Sequence, residues 1–193
     1  MTQTVSTTPT ESTMHIPASV LGIILDTSNV KQAGVLKSLT EAFLQHIPLQ
    51  ERSYVGMFLI ATADGTAFPI NVSSETFERQ WQEIPWGGKS DVTPGLTAMQ
   101  NVIQQYTKPN TKTPVFRTLL LTDSPPADWT AFRTALEQLG RVEIGVLGEG
   151  ETQLKTFAGY RGAISYTMPV TLSLINQEYD ATTWAGALFR SLE

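Results

Sequence analysis

The sequence predicts an α/β fold: a doubly wound, mainly parallel, six-stranded sheet with one antiparallel edge strand and helices on both faces. Three observations carry that expectation. Apolar runs of strand length, such as Val20–Leu25 (VLGIIL) and Thr118–Thr122 (TLLLT), show no polar alternation, which is how strands covered on both faces read. Between such runs lie stretches whose apolar residues recur at helical spacing, and strands alternating with helices build βαβ units. Asp64-Gly65 supplies the positive φ of a two-residue hairpin, so one neighbouring pair of strands runs antiparallel.

Each element follows from its residues. After the first apolar run, Leu36, Leu39, Phe43 and Ile47 form a helical stripe, with Ser28 or Asn29 placed to cap its start and Pro48 just past its end. Tyr54–Thr62 is the second strand, and Thr66–Val72 returns antiparallel to it; Pro69 removes a ladder donor, which confines that strand to an edge. A short helix around Phe77 and Trp81 leads into the loop Pro85–Val92. Thr93 as N-cap and Pro94 in the first turn open a helix with Leu96, Met99, Ile103 and Tyr106 on its buried stripe. Thr118–Thr122 is the next central strand. Asp128 caps a helix carrying Trp129, Phe132, Leu136 and Leu139, which Gly140 stops. A strand at Val142–Leu147, a helix near Leu154–Ala158, a strand near Ala163–Thr167 and a helix near Thr182–Leu192 complete the chain.

At 193 residues the chain has the length of a single domain, expected over residues 16–193 behind a flexible, Thr- and Ser-rich tail at 1–15. The net charge of −5, with no basic stretch to track a phosphate backbone, argues against nucleic acid as a partner. Cysteine is absent, which removes disulfides, thiolate nucleophiles and Cys-based zinc sites and suits a reducing compartment. No run approaches the roughly 18 apolar residues that would span a bilayer, and the start has no signal-peptide pattern. A cytoplasmic location without membrane contact is expected.

Parallel strands bring their carboxyl ends to one edge, and ligands of such sheets bind in the crevice beyond it. Asp26 and Asp123 each directly follow a buried strand, so both carboxylates should reach that crevice. Two acids in a partly desolvated cleft repel, and a divalent cation with water and hydroxyl ligands relieves the repulsion. Neither G-x-G-x-x-G nor G-x-x-x-x-G-K-[ST] follows the first strand, so a nucleotide loop is not indicated. His15 and His46 stand apart from the acids, which leaves no Ser-His-Asp set.

Three elements, Asp26-Thr-Ser28-Asn-Val30, Trp86-Gly-Gly-Lys-Ser90-Asp-Val-Thr-Pro-Gly-Leu96 and Leu119-Leu-Leu-Thr-Asp123-Ser124, come in an order that resembles a von Willebrand factor A-type (vWA) domain, whose fold is Rossmann-like. The nearest flavour is the small intracellular bacterial type, similar to the tellurite-resistance-associated TerY-like proteins. The resemblance runs from about Ser19 to the C-terminus. It implies a metal-ion-dependent adhesion site with Asp26, Ser28, Ser90 and Asp123 as ligands of Mg²⁺, Ser90 standing where the family has threonine. Val30 departs from the pattern by replacing a serine ligand, which implies a partly degenerate site whose metal binding is weaker than the family norm or absent.

The function implied is a non-catalytic adaptor that docks another protein, an acidic side chain of the partner completing the cation's coordination. Trp86, Lys89, Asp91 and Ser124 flank the site and are the candidate partner contacts; Trp86 either anchors a partner or packs down onto the domain. Two other readings are a structural subunit of a stress-response or ATPase-associated assembly and a metal-dependent hydrolase. The hydrolase would need a general base or second metal cluster, and neither is evident.

Overall fold

The structure, a computed structural model, describes residues 19–46, 55–70, 74–107, 109, 112–139, 142–147 and 164–170. The central strand β1 (Ser19–Asp26) contains the apolar run Val20–Leu25. It pairs in parallel with β2 (Val55–Ala63) on one side and β4 (Val115–Thr122) on the other. β3 (Thr66–Ile70) folds back antiparallel on β2, and β5 (Val142–Leu147) and β6 (Ile164–Val170) continue in parallel beyond β4. The strand order is β3-β2-β1-β4-β5-β6.

The edge position of β3 is what accommodates Pro69. The turn before it is built as the sequence predicts, with Asp64 at φ 50° and Gly65 at φ 78°. The expected tail and the expected helices at 154–158 and 182–192 lie outside the described residues, as do the stops at Pro48 and Gly140.

Alternation along β1 sorts the core into two layers. Leu21, Ile23 and Leu25 pack with α1 (Ala33–His46) and α2 (Ser74–Glu83), through Leu36, Leu39, Phe77 and Trp81. Val20 and Ile24 face the opposite way and pack with α3 (Thr93–Tyr106) and α4 (Trp129–Leu139), through Leu96, Met99, Phe132 and Leu136. The sheet is thus covered on both faces, which explains why its central strands are continuously apolar. α3 lies tight against the sheet at Gly95, where an added Cβ would stand 2.7 Å from Ile24 Cγ2.

Two caps differ in outcome. Asp128 Oδ1 accepts from Thr130 N at 2.9 Å and Ala131 N at 3.0 Å, the expected start of α4. Thr93 is not a cap: it is already helical, the N-cap is Val92, and the Thr93 amide is taken by Asp91 Oδ1 at 3.2 Å. An acid two residues ahead offers a carboxylate where the threonine hydroxyl was expected, and that hydroxyl is left buried with no partner among the described residues. No helix among the described residues is long and apolar enough to cross a membrane.

Candidate functional site

The chain turns to opposite sides of β1, to β2 on one side and β4 on the other, so the crevice beyond its carboxyl end is the topological switch point of the sheet. Asp26 ends β1 there, on the side of the strand that faces α3 and α4. It is 2% exposed. A carboxylate that far from water is tolerated only when its lone pairs are taken. Three separate stretches take them: Ser90 Oγ donates to Asp26 Oδ2 at 2.7 Å, Thr122 Oγ1 donates to the same oxygen at 2.6 Å, and Ser28 N donates to Oδ1 at 3.0 Å. Asp26 therefore ties together the loop after β1, the loop before α3 and the end of β4.

Asp123 follows one residue beyond β4 and is half-buried. Ser124 Oγ donates to its Oδ1 at 2.8 Å, and Asn29 Nδ2 donates to its Oδ2 at 2.5 Å. Asn29 also accepts from Lys31 N through its own carbonyl, starting the 3₁₀ turn Val30–Gln32 that runs into α1. One side chain thus caps a helix and reaches across to the second acid. The two aspartates meet at the same edge through the Ser28–Asn29 loop.

The loop that carries Ser90 is held by backbone atoms on three sides. Gly87 N donates to Thr27 O at 2.9 Å, Asp64 N to Lys89 O at 3.0 Å, and Ala127 N to Ser90 O at 2.9 Å. Thr62 Oγ1 adds a bond to Asp91 O at 3.0 Å. This path requires glycine: Gly87 has φ 103° and Gly88 φ 93°, and a Cβ on Gly88 would come within 2.8 Å of Asp64 Cβ.

The donor set suits a hard cation in kind. Asp26, Ser28, Ser90 and Asp123 offer only oxygen, the ligand chemistry of Mg²⁺, while a hexacoordinate ion needs about six such atoms. Val30 offers none: its side chain is hydrocarbon and 62% exposed. Among the described residues no group of three or more His, Cys, Asp or Glu side chains is placed to hold a metal.

The remaining candidates divide. Ser124 bonds Asp123 directly, Lys89 is exposed on the strapped loop, and Asp91 is half-buried with one oxygen on the Thr93 amide. Trp86 is half-buried, with its ring 5.7 Å from that of Trp81 and packed on the core layer of α1 and α2. Sequence reasoning passed over Thr122 and Asn29. The Thr-Asp pair closing the apolar run of β4 was the available sign for Thr122; Asn29 reads from sequence only as a cap.

No protein-family model matches the sequence, and no curated protein matches it. Solved structures do match. The chain is similar to a von Willebrand factor type A protein from Catenulispora acidiphila, with a TM-score of 0.64 at 12% identity, over 88% of this chain and 43% of that one. It is similar to the pilus adhesin SpaC from Lactobacillus rhamnosus GG, with a TM-score of 0.62 at 12% identity, over 92% of this chain and 30% of that one. The vWA domain of SpRpn10 matches with a TM-score of 0.56 at 11% identity, over 89% of this chain and 95% of that one. The chain spans less than half of the Catenulispora and Lactobacillus proteins. Identities this low speak to architecture alone, and on architecture the strand order, the antiparallel edge and the superpositions agree: this chain has the von Willebrand factor A fold.

Proposed function

We propose that the protein is a non-catalytic docking module that binds a partner protein at the crevice beyond β1 and β4, with Mg²⁺ held by Asp26, Ser28, Ser90 and Asp123. The observation that carries this reading is the convergence of Ser90, Thr122 and Ser28 on the buried Asp26, beside Asp123, at the switch point of the sheet. Mg²⁺ bound there supplies an open coordination position for a carboxylate oxygen of the partner. The chain's own residues fix the geometry: Ser124 and Asn29 hold Asp123, and the strapped loop holds Ser90. Val30 presents an apolar contact at the rim in place of a ligand. We place the module in the cytoplasm, where a chain without cysteine is at no disadvantage, and read it as an adaptor of the small intracellular bacterial kind. The fold is shared with a pilus adhesin, which supports a role in contact between proteins.

Isothermal titration with Mg²⁺ and Mn²⁺ on the wild type and on Asp26→Ala tests the cation. Saturable heat in the wild type, absent from the variant, is expected; identical traces for the two proteins remove the cation from the proposal. Docking is tested with N-acetyl-glutamate methylamide as the acidic probe: amide shifts at Ser28, Ser90 and Ser124 that require Mg²⁺ are expected, and shifts that are the same without Mg²⁺ refute the coordination mechanism.

A further inference from the structure

Beside the crevice, on the α3 and α4 side, runs an open groove of about 420 Å³. It exists because facing positions of the two helices are small: Pro94 and Ala98 on α3 and Ala131 on α4 leave a shallow apolar floor. Asp91 and Asp128 stand along it, each just ahead of a helix start. Each has one oxygen committed to backbone amides, Asp91 Oδ1 to Thr93 N and Asp128 Oδ1 to Thr130 N and Ala131 N. Those bonds fix the carboxylates in orientation while the second oxygen of each has no donor among the described residues. Among the described residues, no basic side chain lines the groove.

An anion is a poor occupant, because the acids already hold these helix-start amides and would repel it. A lysine or arginine side chain fits on both counts, since its methylene stem covers apolar floor while its charged head seeks carboxylates. We propose that this groove receives a basic side chain of the docked partner, so that the partner presents an acidic group to the crevice and a basic group beside it. The overall charge of −5 favours the approach of such a segment. The inference rests on reading this end of the sheet as a docking face, yet its test needs no cation.

The probes are N-acetyl-lysine methylamide and N-acetyl-arginine methylamide, with N-acetyl-norleucine methylamide as the uncharged isostere, titrated into the full chain and followed by amide chemical shifts. Asp91→Asn and Asp128→Asn keep an oxygen for the helix-start amides and remove the charge, so both should fold. Expected are saturable shifts at Thr97, Asn101 and Ala131 with the basic probes only, weakened about two- to fivefold by either variant. Equal shifts with norleucine, no shifts at all, or unchanged affinity in both variants overturn the proposal. Loss of Mg²⁺ binding with these shifts retained would count against the crevice mechanism alone; retained Mg²⁺ binding without them would count against the groove alone.

Discussion

Thr122→Val probes the energetics of the buried carboxylate. Thr122 is 1% exposed and its hydroxyl stands 2.6 Å from Asp26 Oδ2, so the change removes a donor to a charged group without opening a cavity, together with a longer bond accepted from Ser124 N at 3.3 Å. A hydrogen bond to a charged partner contributes about 1.5–3 kcal/mol. For a chain of this size each kcal/mol moves the melting midpoint by about 2–4 °C, which places the expected fall for a loss of about 2 kcal/mol at roughly 4–8 °C. Thr40→Val is the matched control. Thr40 is also fully buried, but its hydroxyl donates only to Leu36 O, the carbonyl one turn back, at 2.8 Å. Such a bond adds little to a helix, and the control should lie within about 0.5 kcal/mol of wild type. Urea denaturation and thermal melts of the three proteins decide the matter. A Thr122→Val loss no larger than that of Thr40→Val would show that Asp26 does not depend on this donor.

Three further outcomes follow from the same geometry. Val30→Ser restores an oxygen at the exposed rim and should tighten Mg²⁺ by on the order of tenfold in calorimetry, about 1.4 kcal/mol; unchanged affinity would dissociate position 30 from the cation. Gly87→Ala and Gly88→Ala both meet a positive φ, but only Gly88 also meets Asp64, so Gly88→Ala should unfold at lower urea than Gly87→Ala by a further 1 kcal/mol or about that. Lys37 Nζ stands 2.9 Å from Glu78 Oε2, and this hydrogen bond first, with the charges of Glu78 and Glu41 behind it, outweighs desolvation and lifts the lysine above its usual range. A raised folded-state pKa stabilises below the unfolded value and is lost as pH rises through the folded one. Because Lys37 is one-third exposed, Glu78→Gln should cost no more than about 0.5 kcal/mol at pH 8, and the difference should close as pH climbs beyond about 10.4. A pH-independent gap would assign the loss to packing.

Much of the architecture was legible because burial writes itself into composition. Ile23–Leu25 and Leu119–Leu121 are apolar without alternation because helices cover both faces of β1 and β4, and Leu36 with Leu39, or Leu96 with Met99, sit where the helical period puts them in the core. Asp64-Gly65 was legible because few other pairs tolerate two positive φ values in succession. The pairing of Asp26 with Ser90 was legible from the switch-point rule joined to the family resemblance. What was not legible depended on competition between neighbours. Thr93 lost its capping role to an acid two residues away, and the packing of Trp86 depends on Trp81, a partner that only the folded chain supplies. Thr122 is marked in sequence only as half of the Thr-Asp pair that closes β4, and its bond to Asp26 forms because β4 lies beside β1.

Three of the straps on the 85–92 loop run from amide to carbonyl, and Gly87 and Gly88 supply its positive φ angles. Peptide groups are common to all residues, so this contour can outlast the exchange of nearly every side chain displayed on it. A rim built in this way can drift in chemistry while keeping its shape.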